Sequence, residues 1–280
     1  MTEPTIWNDW WSAEVYREFV EDYPLYPALN RHLAELADLR TARRVLDLGC
    51  GTGATTSACL EVLADHAEVV GLDSAPTMVE IARCRVPDRR ARFLCADVTH
   101  RLSVAELGRF DRAVCNAALW LFPTPGSVLA DLGDLLIPGG ILVFNLPAER
   151  LEGRAVTPHP FQIELAASLA AGSDGQHRLT EDLYDPAGIE GTLERCGFEV
   201  DTVELYRHCG LQGELMALMQ IPAMAARLVT HDEPAEGLRA VRSAVERSDP
   251  GIEVEVPWVC FVARRRSDSP DLSPSDGLTA

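Results

Sequence analysis

The chain has 280 residues, 47% hydrophobic and 24% charged, enough apolar side chain for a sizeable core in one domain or one domain with a cap. Its net charge of −18 argues against a protein that grips nucleic acid, because displacing counterions from a phosphate backbone takes a basic face. All 25 basic side chains are Arg, which excludes Schiff-base lysine chemistry and a Walker-type phosphate lysine.

Residues 6–39 are rich in aromatic side chains: Trp7, Trp10, Trp11, Tyr16, Phe19, Tyr23 and Tyr26. Ser12 is the expected cap of a helix from Ala13 to about Glu21, with Pro24 and Pro27 as breakers and a second helix from Ala28 to Leu39. The run Arg44-Val45-Leu46-Asp47-Leu48-Gly49-Cys50-Gly51-Thr52-Gly53-Ala54 then reads as a buried parallel strand, a glycine turn and a helix start. Glycines there let a ligand approach the backbone, and the helix start offers free N–H groups. Gly49-x-Gly51-x-x-Ala54 alone also satisfies the degenerate dinucleotide fingerprint of nicotinamide oxidoreductases. Asp47 tilts the choice, since its carboxylate suits a cationic ligand and would repel a pyrophosphate.

The segment Asp47-Leu48-Gly49-Cys50-Gly51-Thr52-Gly53 resembles motif I of the class I S-adenosylmethionine-dependent methyltransferases, Asp/Glu-x-Gly-x-Gly-x-Gly. The resemblance implies a Rossmann-like α/β fold: a mostly parallel seven-stranded sheet flanked by helices, with a helical cap or lid. It implies S-adenosyl-L-methionine as cofactor, S-adenosyl-L-homocysteine as product, and cofactor contacts from Asp47, Gly49, Cys50, Gly51 and Gly53. In that family an N-terminal helical piece folds over the cofactor with an aromatic side chain near its methionine end, which makes Trp11 and Tyr16 candidates; packing of the helices is the competing role.

Thr55–Ala64 reads as a helix and Glu68–Asp73 as the second strand. Asp73, twenty residues beyond Gly53, is placed to accept both ribose hydroxyls, with Ser74 beside it. The Thr77-x-x-Glu80 pattern suggests a capping box for a helix over Ala75–Arg85, in which Met78 either rests on the adenine or fills the core. Arg92–Ala96 is the third strand, and the resemblance places Ala96, Asp97 and Val98 at the adenine edge. Phe110–Cys115 is the fourth, and Asn116 opens the loop after it, at the strand end where an open parallel sheet holds ligands. The Asn/Asp-Pro-Pro-aromatic motif by which DNA and amino-group methyltransferases hold a planar nitrogen is lacking there. After a helix at 127–136, Pro138-Gly139-Gly140 is expected to turn tightly into a fifth strand, Ile141–Asn145, a further landmark of the family.

The second half predicts a helix around Phe161–Ala171, another from Pro186 to Arg195, a strand at Glu199–Leu205, two helices at Leu211–Val229 and Ala235–Arg247, and a last strand at Ile252–Ala263. The resulting division is a cap segment at 1–40, a methyltransferase domain at 41–265 with lid insertions at about 147–184 and 211–248, and a disordered tail at 266–280. An acceptor that must lose a proton would use a base, and His159, His177 and Tyr16 are the leading candidates, with His208 and Glu164 behind them. Clustered carboxylates for a metal are not evident, and the methionine-bearing insertion favours a hydrophobic small-molecule acceptor. The eight cysteines form no C-x-x-C pair, and neither a signal peptide nor a membrane span is recognisable, so a cytoplasmic location is expected. The oligomeric state stays open, a homodimer included. Besides the oxidoreductase, a protein that keeps the cofactor pocket with another or a lost activity remains an alternative.

Overall fold

The computed structural model describes residues 6–97, 104–122, 124–148, 150–151, 154–155, 157–172, 186–229 and 234–267. Its sheet contains β1 (Arg44–Leu48), β2 (Glu68–Asp73), β3 (Ala91–Cys95), β4 (Phe110–Cys115), β5 (Leu136–Pro147), β6 (Phe198–Leu211) and β7 (Glu253–Arg265), in the spatial order 3-2-1-4-5-7-6. The first five are parallel, and β7 runs antiparallel between β5 and β6. A two-residue hairpin pairs Arg150–Leu151 with Arg154–Ala155.

Alternate residues of the strands build two apolar layers, as expected of parallel strands covered on both faces. Val45, Val69, Val114 and Val143 pack under α2 (Leu25–Leu36), α3 (Ala54–Val62) and α4 (Pro76–Arg85). Leu46, Leu72, Ala113 and Phe144 pack on the other face against α6 (Pro125–Leu135) and α8 (Pro186–Arg195), while α5 (Val104–Leu107) is a single turn between β3 and β4. Phe144 stacks on Phe261 with ring centroids 4.8 Å apart, which welds the antiparallel strand into this core.

A third apolar cluster lies beyond the carboxyl ends of the parallel strands. It joins α1 (Trp10–Asp22) and α2 to α7 (Pro160–Gly172), α9 (Gln212–Met219), α10 (Pro222–Ala226) and α11 (Pro234–Glu246), with Ala117 and Trp258 at its base. Register explains its position. β5 stops pairing at Pro147↔Trp258, whereas β6 and β7 stay paired on to Leu211↔Glu253, so a two-stranded arm extends past the sheet and carries α9.

Several local expectations are corrected. Asp9, not Ser12, caps α1, its carboxylate accepting from the Ser12 N–H at 3.2 Å. Pro27 does not break α2, because it sits in the first turn, where its missing N–H has no intrahelical partner. The Thr77 hydroxyl makes no capping box; it donates to the Asn8 carbonyl at 2.9 Å and ties the N-terminal segment to α4. Pro138-Gly139-Gly140 is no tight turn: β5 starts at Leu136, and residues 137–140 bulge opposite Asp111 between the pairs Phe110↔Leu136 and Arg112↔Ile141. Pro222 divides the first helix expected after β6 into α9 and α10. Strand β7 continues to Arg265, and residues 268–280 of the expected tail lie outside the described residues.

The contact of α10 with α11 depends on Gly237, where an added Cβ would stand 1.9 Å from the Ala225 carbonyl oxygen. Alanine would otherwise favour the helix by about 1 kcal/mol. Overpacking costs about 1–3 kcal/mol and outweighs it. Gly237→Ala should therefore lower the urea midpoint; an unchanged or raised midpoint would refute this packing.

Candidate functional site

β1 ends in a turn that is stitched to its neighbour. The Gly49 and Cys50 N–H groups both donate to the Leu72 carbonyl, at 2.8 and 2.9 Å, and the Gly51 N–H donates to Asp73 Oδ2 at 2.9 Å. Gly49 and Gly51 adopt φ of +70° and +50°, the left-handed region that disfavours side chains. Space is as restrictive as angle: a Cβ on Gly49 would come within 2.6 Å of Ala118 Cβ, and one on Gly51 within 3.3 Å of the Tyr16 ring. Gly53, also left-handed, is the N-cap of α3.

Asp47 and Asp73 flank this turn with different environments. Both Asp73 oxygens accept backbone N–H groups, Oδ2 from Gly51 and Oδ1 from Ala75 at 2.9 Å each, which leaves lone pairs for further donors. Burial raises its pKa, and hydrogen bonds from the Ala75, Gly51 and Ser74 backbone pull the other way. Asp47 is fully buried; Oδ2 accepts the Thr56 hydroxyl at 2.5 Å, while Oδ1 has no partner. Burial pushes its carboxyl up to about 7, against the Thr56 hydrogen bond and with a further push from Asp73.

Helix α1 lays Tyr16 over Gly51. Burial holds the Tyr16 phenol well above its ordinary pKa, helped by Tyr26, Asp73 and Asp47, so it remains protonated and is a donor rather than a base. Trp7 packs edge-on against Tyr16 at 5.8 Å, Tyr26 lies 6.2 Å from Tyr16, and Trp258 lies 6.2 Å from Tyr26. This aromatic row leads from the glycine turn to the end of β5. Trp11 is not part of it, being 50% exposed; Trp7 occupies the inward position. Arg85 ties the same helix down, meeting Glu21 at 3.5 Å and donating to the Thr52 hydroxyl at 3.1 Å.

Met78 is buried in a small cluster with Ala13, Ala75 and Ile81, against Trp7 and Tyr16. The Ala96 N–H donates to the Asp73 carbonyl at 2.9 Å, which brings the end of β3, with half-buried Asp97 next, beside the end of β2. The Ser74 carbonyl accepts the Cys95 thiol at 3.7 Å. Val98 lies outside the described residues, as does His177.

Asn116 joins an amide cluster that includes two residues missed in the sequence. Its Nδ2 donates to Asn30 Oδ1 at 2.6 Å, and its Oδ1 accepts from Asn145 Nδ2 at 2.8 Å. A readable signal was present, since Asn145 interrupts the apolar run Ile141–Leu146. Among the base candidates, half-buried His159 has its pKa lowered by burial, opposed by a hydrogen bond to the Glu255 backbone. Glu164 is ion-paired with Arg247 at 2.7 Å on the surface, away from this role. His208 is buried with Glu214 at 3.0 Å in the arm beyond the sheet. The indole N–H groups of Trp120 and Trp258 are buried without partners. Among the described residues no group of His, Cys, Asp and Glu could hold a metal, and no helix is long and apolar enough to cross a membrane.

An antiparallel seventh strand inserted beside β5 separates this sheet from the all-parallel 3-2-1-4-5-6 order of dinucleotide folds. The methyltransferase domain family matches residues 46–144, the segment from β1 to β5. The chain is 31% identical over 197 residues to the trans-aconitate 2-methyltransferase of Methylobacterium radiotolerans, covering 68% of this chain and 70% of that protein. It is 27% identical over 181 residues to the aklanonic acid methyltransferase of a Streptomyces species, covering 62% and 82%. The fold is shared with a Geobacter sulfurreducens S-adenosylmethionine-dependent methyltransferase solved with S-adenosyl-L-homocysteine, at TM-score 0.57 and 20% identity over 90% of this chain and 98% of that one. The chain belongs to the class I S-adenosylmethionine-dependent methyltransferases, and its cofactor is S-adenosyl-L-methionine. The nicotinamide reading of the glycine fingerprint is thereby set aside.

The Asp47 environment has a consequence for stability. In the unfolded chain its carboxyl ionises near 3.8, whereas in the folded, ligand-free protein it holds its proton to about 7. Folding is therefore opposed increasingly as pH rises from about 4 to 7, by at most about 4 kcal/mol in all. Asp47→Asn should raise the melting temperature of the ligand-free protein at pH 8 and lose that advantage below pH 4. An equal gain at both pH values would contradict the assignment.

Proposed function

We propose that this methyltransferase transfers the methyl group to an O, N or C atom of a mainly apolar small molecule, held between the glycine turn and the helices beyond the sheet, by in-line displacement. The observation that carries the reading is the third apolar cluster, which roofs the carboxyl ends of the strands and contains the unpartnered indole N–H groups of Trp120 and Trp258 close to its base. An apolar surround with a few polar donors orients a ligand that has one or two oxygens. Residues 1–40, 147–184 and 211–248 are the cap and lid segments in this reading. Related proteins support a small-molecule acceptor, and the aklanonic acid enzyme is one example.

The residues present fit the cofactor. Asp47 Oδ1, buried and without a partner, suits a cationic group, and the close-approach glycines admit a ligand to the backbone. Asp73, with Ser74 beside it, is assigned the ribose hydroxyls; Met78, Ala96, Asp97 and Val98 the adenine; and Asp47, Tyr16 and Asn116 the methionine end, where Trp11 gives way to Trp7 as the packing partner. Bound there, the cofactor supplies a sulfonium methyl that is already electrophilic. The chain then has to align acceptor and donor and exclude water. The helical roof serves the second need. His159, neutral at pH 7 because burial lowers its pKa, can take a proton from an acceptor, and His177 remains a second candidate.

Calorimetric titration with S-adenosyl-L-homocysteine tests the site. Asp73→Ala, folded by circular dichroism, should lose about 1–3 kcal/mol of binding, because the ribose hydroxyls lose a charged acceptor; full affinity would remove Asp73 from the site. The acceptor is tested by formation of S-adenosyl-L-homocysteine from S-adenosyl-L-methionine in the presence of hydroxylated aromatic acids, with trans-aconitate as the polyanionic arm. Turnover of trans-aconitate alone would overturn the apolar reading, and turnover of no acceptor by a protein that binds the cofactor would point to a different or lost activity.

A further inference from the structure

The amide cluster after β4 has a direction that one donor imposes. The backbone N–H of Ala117 can only donate, and it does so to Asn145 Oδ1 at 2.6 Å. Asn145 must therefore turn its Nδ2 to Asn116 Oδ1, at 2.8 Å, and Asn116 must turn its Nδ2 to Asn30 Oδ1, at 2.6 Å. Asn30 Oδ1 also accepts the Thr55 hydroxyl at 2.7 Å, from the first turn of the helix that follows the glycine turn. Asn30 and Asn145 are 3% and 0% exposed, so these bonds form with little competition from water. The relay starts on β5, passes the end of β4 and terminates on α2 of the N-terminal helices.

The relay holds an unfavourable backbone. Ala117 has φ of +50°, a left-handed conformation unfavourable for a residue with a side chain. Its captured N–H keeps it there, and the following residue, Ala118, is thereby set directly against Gly49. Asn30 ends the relay. An acceptor there keeps Asn116 in place, and Asn30 can supply one only while α2 is docked.

We propose that Asn30 is a positioning residue which, through Asn116 and Asn145, makes the conformation of the loop after β4 depend on docking of helix α2 against α3 and the sheet. The inference rests on the site assignment above. Asn30 need touch neither cofactor nor acceptor; it acts through Asn116.

Rescue at one position tests it, with S-adenosyl-L-homocysteine as probe. Asn30→Asp keeps an oxygen that accepts from both Asn116 and Thr55, whereas Asn30→Ala removes the acceptor. Asn30→Asp should bind within about threefold of wild type, while Asn30→Ala should lose about tenfold or more, the cost of a broken buried hydrogen bond. Hydrogen exchange at Ala117–Trp120 in the ligand-free protein should accelerate in Asn30→Ala and not in Asn30→Asp. If Asn30→Ala fails to fold, Asn30→Leu, of similar size and without an acceptor, replaces it, and Asn30→Ala/Asn116→Ala should bind no more weakly than the weaker single variant. Equal losses in Asn30→Asp and Asn30→Ala, additive Ala losses, or unchanged exchange would overturn the relay. Failure of the wild-type protein to bind the probe would instead overturn the site.

Discussion

Convergence of the Gly49 and Cys50 N–H groups on the Leu72 carbonyl is the constraint on which the rest of the site depends. It forces the chain leaving β1 across the end of β2, and the bond from Gly51 to Asp73 completes the crossing. Left-handed glycines are needed because the turn has no room on either side: Ala118 lies against Gly49 and the Tyr16 ring against Gly51. The close contacts that exclude side chains are made by the β4 loop and by α1. One turn thus dictates where two other segments stand, and α3 starts in register with it.

Around this turn the two carboxylates are divided by hydrogen bonding. Asp73 is satisfied by backbone donors on both oxygens, whereas Asp47 is bonded to Thr56 alone, with Oδ1 unpartnered and no water-facing surface. A buried carboxylate so poorly paired raises its pKa rather than remain charged alone. Such an arrangement is costly to the ligand-free fold and suits a cationic ligand, a pattern in which stability is traded for binding.

The helices past the carboxyl edge follow from an extension of the sheet rather than from a separate domain. Because β6 and β7 stay paired beyond the last β5 residue, the chain between them is released above the site, and Pro222 breaks it into pieces short enough to fold back. The roof is closed from the other end of the chain by α1 and α2, latched by Thr77 on the Asn8 carbonyl and by Arg85 between Glu21 and Thr52. Apolar contact supplies the attraction, and the polar latches choose the register.

Strong local patterns were legible directly. The glycine turn, the five parallel strands and the acidic residue ending β2 follow from short apolar runs, buried on consecutive residues in β1, β2 and β5, and from glycine spacing, which are properties of short segments. Two landmarks were misread for the same reason: Pro138-Gly139-Gly140 has turn composition, and Thr77-x-x-Glu80 has cap composition, yet a neighbouring strand absorbs the first as a bulge and the Asn8 carbonyl claims the Thr77 hydroxyl. Trp7, not Trp11, faces Tyr16, because Trp11 and Tyr16 lie five positions apart on α1 and so on different faces, whereas Trp7 precedes the helix and packs back on it. Sequence alone determined the scaffold and the cofactor class, through patterns encoded within a few residues. Tertiary structure alone decided the raised pKa of Asp47, the inward aromatic row and the union of Asn30, Asn116 and Asn145, because burial, ring contacts and hydrogen bonds arise between residues far apart in the chain, 86 positions in the case of Asn30 and Asn116.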